Sequence, residues 1–131
     1  RHKRMVDLVH SYSRAKVLYH CCGSVKGLIE DFIEIGFDAL NPVQVSASGM
    51  DTAELKMLFG DRICFWGGID TQQVLPMGTP VDVKEEVHHR VKDLAPGGGY
   101  VLAAVHDIQD DVSAENVLAM ADAAIEFGLD R

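Results

Sequence analysis

The chain has 131 residues, enough for one domain, and its apolar content of 47% is that of a globular protein. Its formal net charge of −8 disfavours binding to nucleic acid or to anionic membrane surfaces, since neither attracts an acidic chain. No apolar run approaches the roughly 20 residues that a membrane-spanning helix needs. The sequence therefore predicts a single globular domain over residues 1–131, with neither nucleic acid nor membrane as a partner.

The cysteine count and the start of the chain indicate a cytoplasmic protein. Three cysteines, an odd number, without a secretory signal are typical of a reducing compartment. The basic start at residues 1–4 (RHKR) lacks the apolar stretch of a signal peptide and is expected to be the solvated start of a helix. Because the sequence does not begin with methionine, we expect a piece of a longer protein, a processed product or a partial gene.

Helices and strands are predicted to alternate along the chain. Apolar residues at helical spacing predict helices, and short apolar runs bounded by turn residues predict strands. The predicted elements are helices at 3–13, 25–35, 52–59, 80–94 and 113–127, and strands at 16–20, 38–42, 62–66 and 100–105. One helix followed by four strand–helix units is typical of a parallel sheet. A small doubly wound sheet and half of a (β/α)8 TIM barrel share this pattern, and periodicity alone does not separate them.

In either architecture, ligands collect at the carboxyl ends of the parallel strands. The residues that end or follow the predicted strands at this edge are His20, Cys21, Cys22, Asn41, Gln44, Ser46, Trp66, Gly67, Gly68, Asp70, His106 and Asp107. The glycine-rich stretch at 96–99 (PGGG) lies at the opposite edge. It follows a helix and opens a strand, the reverse of a phosphate-binding loop, so we expect a plain turn there.

His20 and Cys22 have H-x-C spacing at the end of a strand, so they should share a face while Cys21 points the other way. Imidazole and thiolate are ligands that Zn²⁺ prefers, and a catalytic zinc site uses three protein ligands and one open position. His106 is the first candidate for the third ligand. Cys64 is the second, although both it and Cys21 are expected to pack in the core. The alternatives are a core histidine beside a packed thiol, and a redox pair, which the vicinal spacing disfavours.

Three residues after the third strand have two interpretations each. Gly67 and Gly68 would let a ligand approach the backbone closely, or would form a tight turn. Asp70 would orient a substrate or cap the next segment. The histidines outside this edge are expected on solvent-facing helices; they are His2, His10, His88 and His89.

Four stretches of the sequence resemble the C-terminal part of the uroporphyrinogen decarboxylase superfamily. They are NPVQ, FGDR, FWGGID, and H-x-I-Q followed by ENVLAM, in the order and spacing of the family. The resemblance covers about residues 3–127 and implies a (β/α)8 barrel, of which this chain would supply the last four units. Half a barrel exposes two sheet edges and an apolar interior. We therefore expect a homo-oligomer, or pairing with the missing N-terminal half.

The superfamily that the chain resembles has two chemical branches. The decarboxylases remove acetate carboxyl groups from a tetrapyrrole in porphyrin biosynthesis, need no cofactor, and use a histidine whose position matches His106. The corrinoid-dependent methyltransferases bind zinc through an H-x-C motif, matched by His20 and Cys22, and a later cysteine, whose position is also His106 here. Because histidine is a competent zinc ligand, the resemblance implies a zinc site of His20, Cys22 and His106.

In the methyltransferase interpretation, zinc lowers the pKa of a small-molecule thiol, which attacks a methyl group carried by a corrinoid or a corrinoid protein. In the decarboxylase interpretation, His106 contacts the tetrapyrrole and Cys22 only packs. A third possibility is a folded but catalytically inert chain, since half of the pocket is absent. The candidate catalytic residues are His106 and Asp70, and the candidate substrate-binding residues are Asn41, Gln44, Gly67 and Gly68.

Overall fold

The structure, a computed structural model, describes residues 1–128, in which helices and strands alternate as the sequence predicts. The helices are α1 (His2–Tyr12), α2 (Ile29–Ile35), α3 (Thr52–Phe59), α4 (Val74–Met77), α5 (Pro80–Leu94) and α6 (Ala114–Gly128). The strands are β1 (Leu18–His20), β2 (Ala39–Asn41), β3 (Cys64–Trp66) and β4 (Tyr100–Val101). Side-chain caps fix two helix starts: Asp51 accepts from the Glu54 N–H before α3, and Thr79 and Asp82 form a capping box around the start of α5.

The four strands form one parallel sheet in the order β1-β2-β3-β4. A doubly wound sheet reverses its strand order at a switch point, whereas a barrel wall adds each strand beside the previous one. The sequential order therefore resolves the two architectures that periodicity left open. The fold is a partial (β/α)8-type barrel, as predicted.

The first three strands are one or two residues shorter at an end than predicted, and three elements differ by more than two residues. The helix predicted at 25–35 begins as a 3-10 turn at Lys26–Leu28, and only Ile29–Ile35 is α-helical. The last strand is shorter than predicted, because Gly67 and Gly68 end its neighbour β3, and only an isolated bridge between Ile69 and Ala104 continues the pairing. Helix α4 was not predicted, because a single helical turn has no period to detect.

The hydrophobic core lies between the sheet and the helices on one of its faces. Alternation along the strands buries one row of side chains against this core and directs the neighbouring rows away from it. The core row consists of Tyr19, Leu40, Phe65 and Tyr100. On the open face, Leu18, Trp66 and Val101 remain 40%, 39% and 37% exposed.

The surface of the described chain agrees with the expectations from charge and hydropathy. Residues 1–4 are exposed at the start of α1, as expected for a solvated helix start. The four histidines that were expected on solvent-facing helices are all exposed; they are His2, His10, His88 and His89. Within residues 1–128, no helix combines the length and the apolar composition that crossing a membrane requires.

A carboxylate at the start of β2 joins α1 to the sheet. Asp38 contacts His10 at 2.8 Å and Lys16 at 2.7 Å, and accepts from the Val17 N–H at 2.8 Å. Partial burial raises the pKa of Asp38, but the hydrogen bonds from Lys16, Val17 and His10 outweigh this effect. The pKa of the carboxyl therefore lies below its usual value.

Replacing Asp38 with asparagine (Asp38→Asn) should lower the free energy of unfolding at neutral pH by about 1–2 kcal/mol, because charge-assisted hydrogen bonds are lost. The folded-state pKa is lowered, so this contribution is full above the unfolded-state pKa of about 3.9 and disappears as the pH falls through the folded value. Urea denaturation at neutral and acidic pH measures the difference, which should shrink in acid. Asp31→Asn, at an exposed position of α2, is the control and should change stability by less than about 0.5 kcal/mol. A difference that does not vary with pH would contradict this account.

Candidate metal centre

The structure brings together the three side chains that the sequence predicts as metal ligands. His20 ends β1, Cys22 follows it by two residues, and His106 lies beyond β4. One ligand atom from each residue lies within 4.8 Å of the other two. The ligands of one tetrahedral zinc ion lie roughly 3.5 Å apart, so only separations above that value have to shorten on binding. The residues present therefore fit a zinc ion in donor type and in position.

The contacts of His20 favour the tautomer that binds a metal through Nε2. Its Nδ1 lies 2.7 Å from Oδ1 of Asn41, and an amide oxygen can only accept a hydrogen bond. In the neutral ring, Nδ1 therefore carries the proton and Nε2 keeps its lone pair. Nε2 lies 3.4 Å from Sγ of Cys22, so the lone pair faces the thiol.

His106 has the opposite arrangement. Its Nδ1 accepts a hydrogen bond from the backbone N–H of Asp107 at 2.9 Å, so in the neutral ring Nε2 carries the proton. The rings of His20 and His106 lie 6.0 Å apart, centroid to centroid, and meet at 85°. To become a ligand, His106 has to release the Asp107 hydrogen bond, either to bind through Nδ1 or to move its proton there.

Packing in the core is expected for the other two cysteines, and the structure shows it for Cys21 but not for Cys64. Cys21 packs against the hydrophobic core, on the side away from His20 and Cys22. Cys64 is half-buried in β3, and burial raises the pKa of its thiol. A thiol with a raised pKa stays protonated and is a poor ligand. The structure therefore favours His106 over Cys64 as the third donor.

A cleft of about 400 Å³ opens beside these donors. Cys22 and His106 form part of its wall, and the other lining residues are Gln44, Thr71, Gln72, Val105, Asp107, Gln109, Asp111 and Val112. Two carboxylates and no lysine or arginine line this cleft within the described chain. Such a cleft favours neutral or cationic molecules over polyanionic ones.

The four predicted substrate-binding residues fall into two groups, because one of them lines the cleft and Asn41, Gly67 and Gly68 do not. Gln44 lines the cleft, and its Oε1 also accepts the Gly23 N–H at 2.6 Å. Gly67 and Gly68 are buried, both have φ of +108°, and neither lines the cleft. Only glycine adopts this backbone conformation without strain. The two glycines do not form a tight turn, because the Gly67 N–H donates to the Val101 carbonyl at 2.9 Å and the Ile69 N–H donates to the Ala103 carbonyl at 3.1 Å, so the chain keeps pairing with the segment that follows β4. Close approach of a ligand to Gly67 and Gly68 stays a prediction. Substrate binding by Gln44 stays a prediction.

Asp70, predicted as a catalytic or capping residue, is 6% exposed. One carboxylate oxygen accepts from the Gln72 N–H at 3.0 Å, and the other accepts from the Gln73 N–H at 3.2 Å. These contacts hold the turn that leads into α4, and the structure therefore supports the capping alternative. A catalytic role for Asp70 stays a prediction.

Replacing Asp70 with alanine should lower the free energy of unfolding by about 1–3 kcal/mol, because two backbone N–H groups lose their acceptor. Asp70→Asn keeps one acceptor oxygen and should recover part of the loss. Urea denaturation measures both variants, and a zinc titration should give them wild-type affinity. If Asp70→Ala kept full stability, the capping role would be wrong.

Comparisons with known proteins identify the family. The family model of uroporphyrinogen decarboxylase (URO-D) matches residues 1–127. A uroporphyrinogen decarboxylase from Pseudoalteromonas translucida (strain TAC 125) is 29% identical over 94 residues, which are 69% of this chain and 26% of that protein. A solved methyltransferase from Methanosarcina mazei matches with a TM-score of 0.76 at 24% identity, covering 96% of this chain and 35% of that one. The chain thus spans about a quarter to a third of the length of these two proteins. Because the family match extends over nearly all of the described residues, the chain belongs to the uroporphyrinogen decarboxylase (URO-D) family.

Proposed function

We propose that the protein to which this chain belongs is a zinc-dependent methyltransferase that moves a methyl group between a corrinoid and a thiol. The observation that carries the proposal is the convergence of His20, Cys22 and His106, with the unprotonated Nε2 of His20 directed at Cys22. A histidine–thiol pair already arranged in this way needs little reorganisation to bind a soft divalent metal. The methyltransferase from Methanosarcina mazei has the same fold, which agrees with the proposal.

In the proposed site, His20, Cys22 and His106 hold the ion. Bound zinc supplies Lewis acidity, which lowers the pKa of a substrate thiol. Cys22 has to lose its proton to become a ligand, and that proton passes to solvent, because the Nε2 lone pair of His20 is itself needed for the ion. The cleft beside Cys22 and His106 gives the thiol access to the site.

Decarboxylation of uroporphyrinogen is the second candidate function. The observation that favours it is the 29% identity to the Pseudoalteromonas decarboxylase. In that reaction His106 would contact the tetrapyrrole or its carboxylates, and Cys22 would only pack. Asp107 and Asp111 line the cleft beside His106 and would repel a substrate rich in carboxylates, and Cys22 is exposed rather than packed. These two observations favour methyl transfer.

Zinc content is the first test of the proposal. The wild-type chain, purified under reducing conditions and supplied with zinc, should retain about one ion per chain in elemental analysis. Cys22→Ala should lower zinc affinity by more than about 100-fold, which exceeds the usual effect of a change outside the ligand set. Cys64→Ala removes the half-buried thiol of β3 and should keep full zinc content. A folded wild type that binds no zinc, or a Cys22→Ala variant that binds as well as wild type, would overturn the proposal.

The reaction itself is tested in the complete protein with methylcobalamin as methyl donor and 2-mercaptoethanol, a neutral thiol, as acceptor. Loss of the methylcobalamin absorbance should depend on added zinc and on Cys22, and Cys64→Ala should react like wild type. Incubation with uroporphyrinogen should release no carbon dioxide. If carbon dioxide is released by the wild type and by Cys22→Ala but not by His106→Ala, methyl transfer is wrong and decarboxylation is the function.

A further inference from the structure

We infer that Asn41 is a positioning residue, which fixes the ring orientation and the tautomer of His20 and so prepares its Nε2 for a metal. The sequence suggested Asn41 only as a substrate-binding residue. Its side chain does not line the cleft, and its amide contacts the site's histidine instead. The metal-binding part of this inference rests on the proposed function, whereas the control of the tautomer does not.

The pairing of the first two strands places Asn41 beside His20. The two residues are direct partners in the parallel β1–β2 ladder, each at the last position of its strand. The Cys21 N–H donates to the Asn41 carbonyl at 2.8 Å and closes the ladder just beyond them. Because partners in a ladder direct their side chains to the same face, the amide and the imidazole meet on the open face of the sheet.

A second contact decides which end of the amide faces the histidine. Nδ2 of Asn41 lies 3.4 Å from the Trp66 carbonyl oxygen, at the end of β3. A carbonyl oxygen can only accept, so the NH₂ group of Asn41 has to point toward Trp66 and its oxygen toward His20. The reverse orientation would place two acceptor oxygens against each other. Asn41 therefore links three adjacent strands and offers His20 an acceptor.

This acceptor determines where the His20 proton lies. A neutral imidazole with an acceptor at Nδ1 carries its proton there and leaves Nε2 free to bind a metal. His106 provides the contrast within the same site, because its Nδ1 faces a donor, the Asp107 N–H. The two rings should therefore be opposite tautomers in the metal-free protein, 6.0 Å apart.

The first experiment needs no metal. Nitrogen-15 NMR of the metal-free chain, recorded at a pH where the spectra themselves show neutral rings, distinguishes protonated from unprotonated ring nitrogens. Wild type should show His20 protonated at Nδ1 and His106 protonated at Nε2. Asn41→Ala should move the His20 proton to Nε2 and leave the His106 signals unchanged, which also reports that the fold is intact.

Asn41→Asp should keep the wild-type tautomer, because a carboxylate is also an acceptor. Asn41→Leu, with a side chain of similar volume, repeats the alanine test if alanine destabilises the sheet.

The second experiment measures zinc affinity by competition with a chelating dye. Asn41→Ala should weaken zinc binding by about 10–100-fold, the usual effect of removing the hydrogen-bond partner of a histidine ligand, and Asn41→Asp should restore it. Gln72→Ala, which removes another amide from the edge of the site, should have no such effect.

An unchanged His20 tautomer in both Asn41→Ala and Asn41→Leu would overturn the inference. A changed tautomer in a chain whose wild type binds no zinc would support the positioning role and overturn the proposed function.

Discussion

Tyr19 lies in an aromatic group beneath the first strand, and its position sets the direction of the residues on either side. Its ring stacks on Phe37 with centroids 4.5 Å apart and meets Phe32 at 4.8 Å. Because side chains alternate along a strand, burial of Tyr19 directs His20 to the open face and, two residues later, Cys22 with it. A shift of one residue would turn both donors into the helix layer and expose the aromatic ring. The geometry of the candidate metal centre therefore depends on an apolar contact that involves none of its ligands.

The same alternation of side chains holds in all four strands, and the pairing of the strands aligns these side chains in rows across the sheet. The pairing aligns the core residues in one row, with Tyr19 opposite Leu40, Leu40 opposite Phe65, and Phe65 opposite Tyr100. The next row, at the carboxyl edge, carries polar side chains in β1 and β2 but an exposed tryptophan and valine in β3 and β4. This open face is the interior side of a barrel wall, and within the described residues its apolar side chains Leu18, Trp66 and Val101 stay more than a third exposed. Its cover by the rest of a barrel, or by a second copy of the chain, stays a prediction.

The sequence predicts those features that depend on local pattern or on the general rule for parallel sheets. Helices α3 and α5 have the predicted bounds, and in the structure the side chains of Asp51 and Thr79 cap their starts. The proximity of His20, Cys22 and His106 could be predicted from their positions at strand ends alone, since all carboxyl ends of a parallel sheet meet at one edge. The contact between Asn41 and His20 could not be predicted in this way, because it depends on the register between two strands. The sequence narrows the role of Asp70 to two alternatives. Capping is favoured only once the structure shows that the backbone N–H groups of the following turn donate to its carboxylate.

The contrast between the two histidines has a chemical consequence for the proposed site. His20 is already arranged as a ligand, whereas His106 has to give up its hydrogen bond with the Asp107 N–H, which costs about 0.5–1.5 kcal/mol. That cost lowers zinc affinity by roughly tenfold at most. In return, two neutral imidazoles and one thiolate leave a divalent ion with a formal charge of about +1, whereas one imidazole and two thiolates leave none. A donor set with the smaller negative charge stabilises an incoming thiolate more strongly and lowers the pKa of its thiol further. In the proposed site, histidine at position 106 would therefore exchange some affinity for the metal for greater acidity of the substrate thiol, which is the property that thiol activation requires.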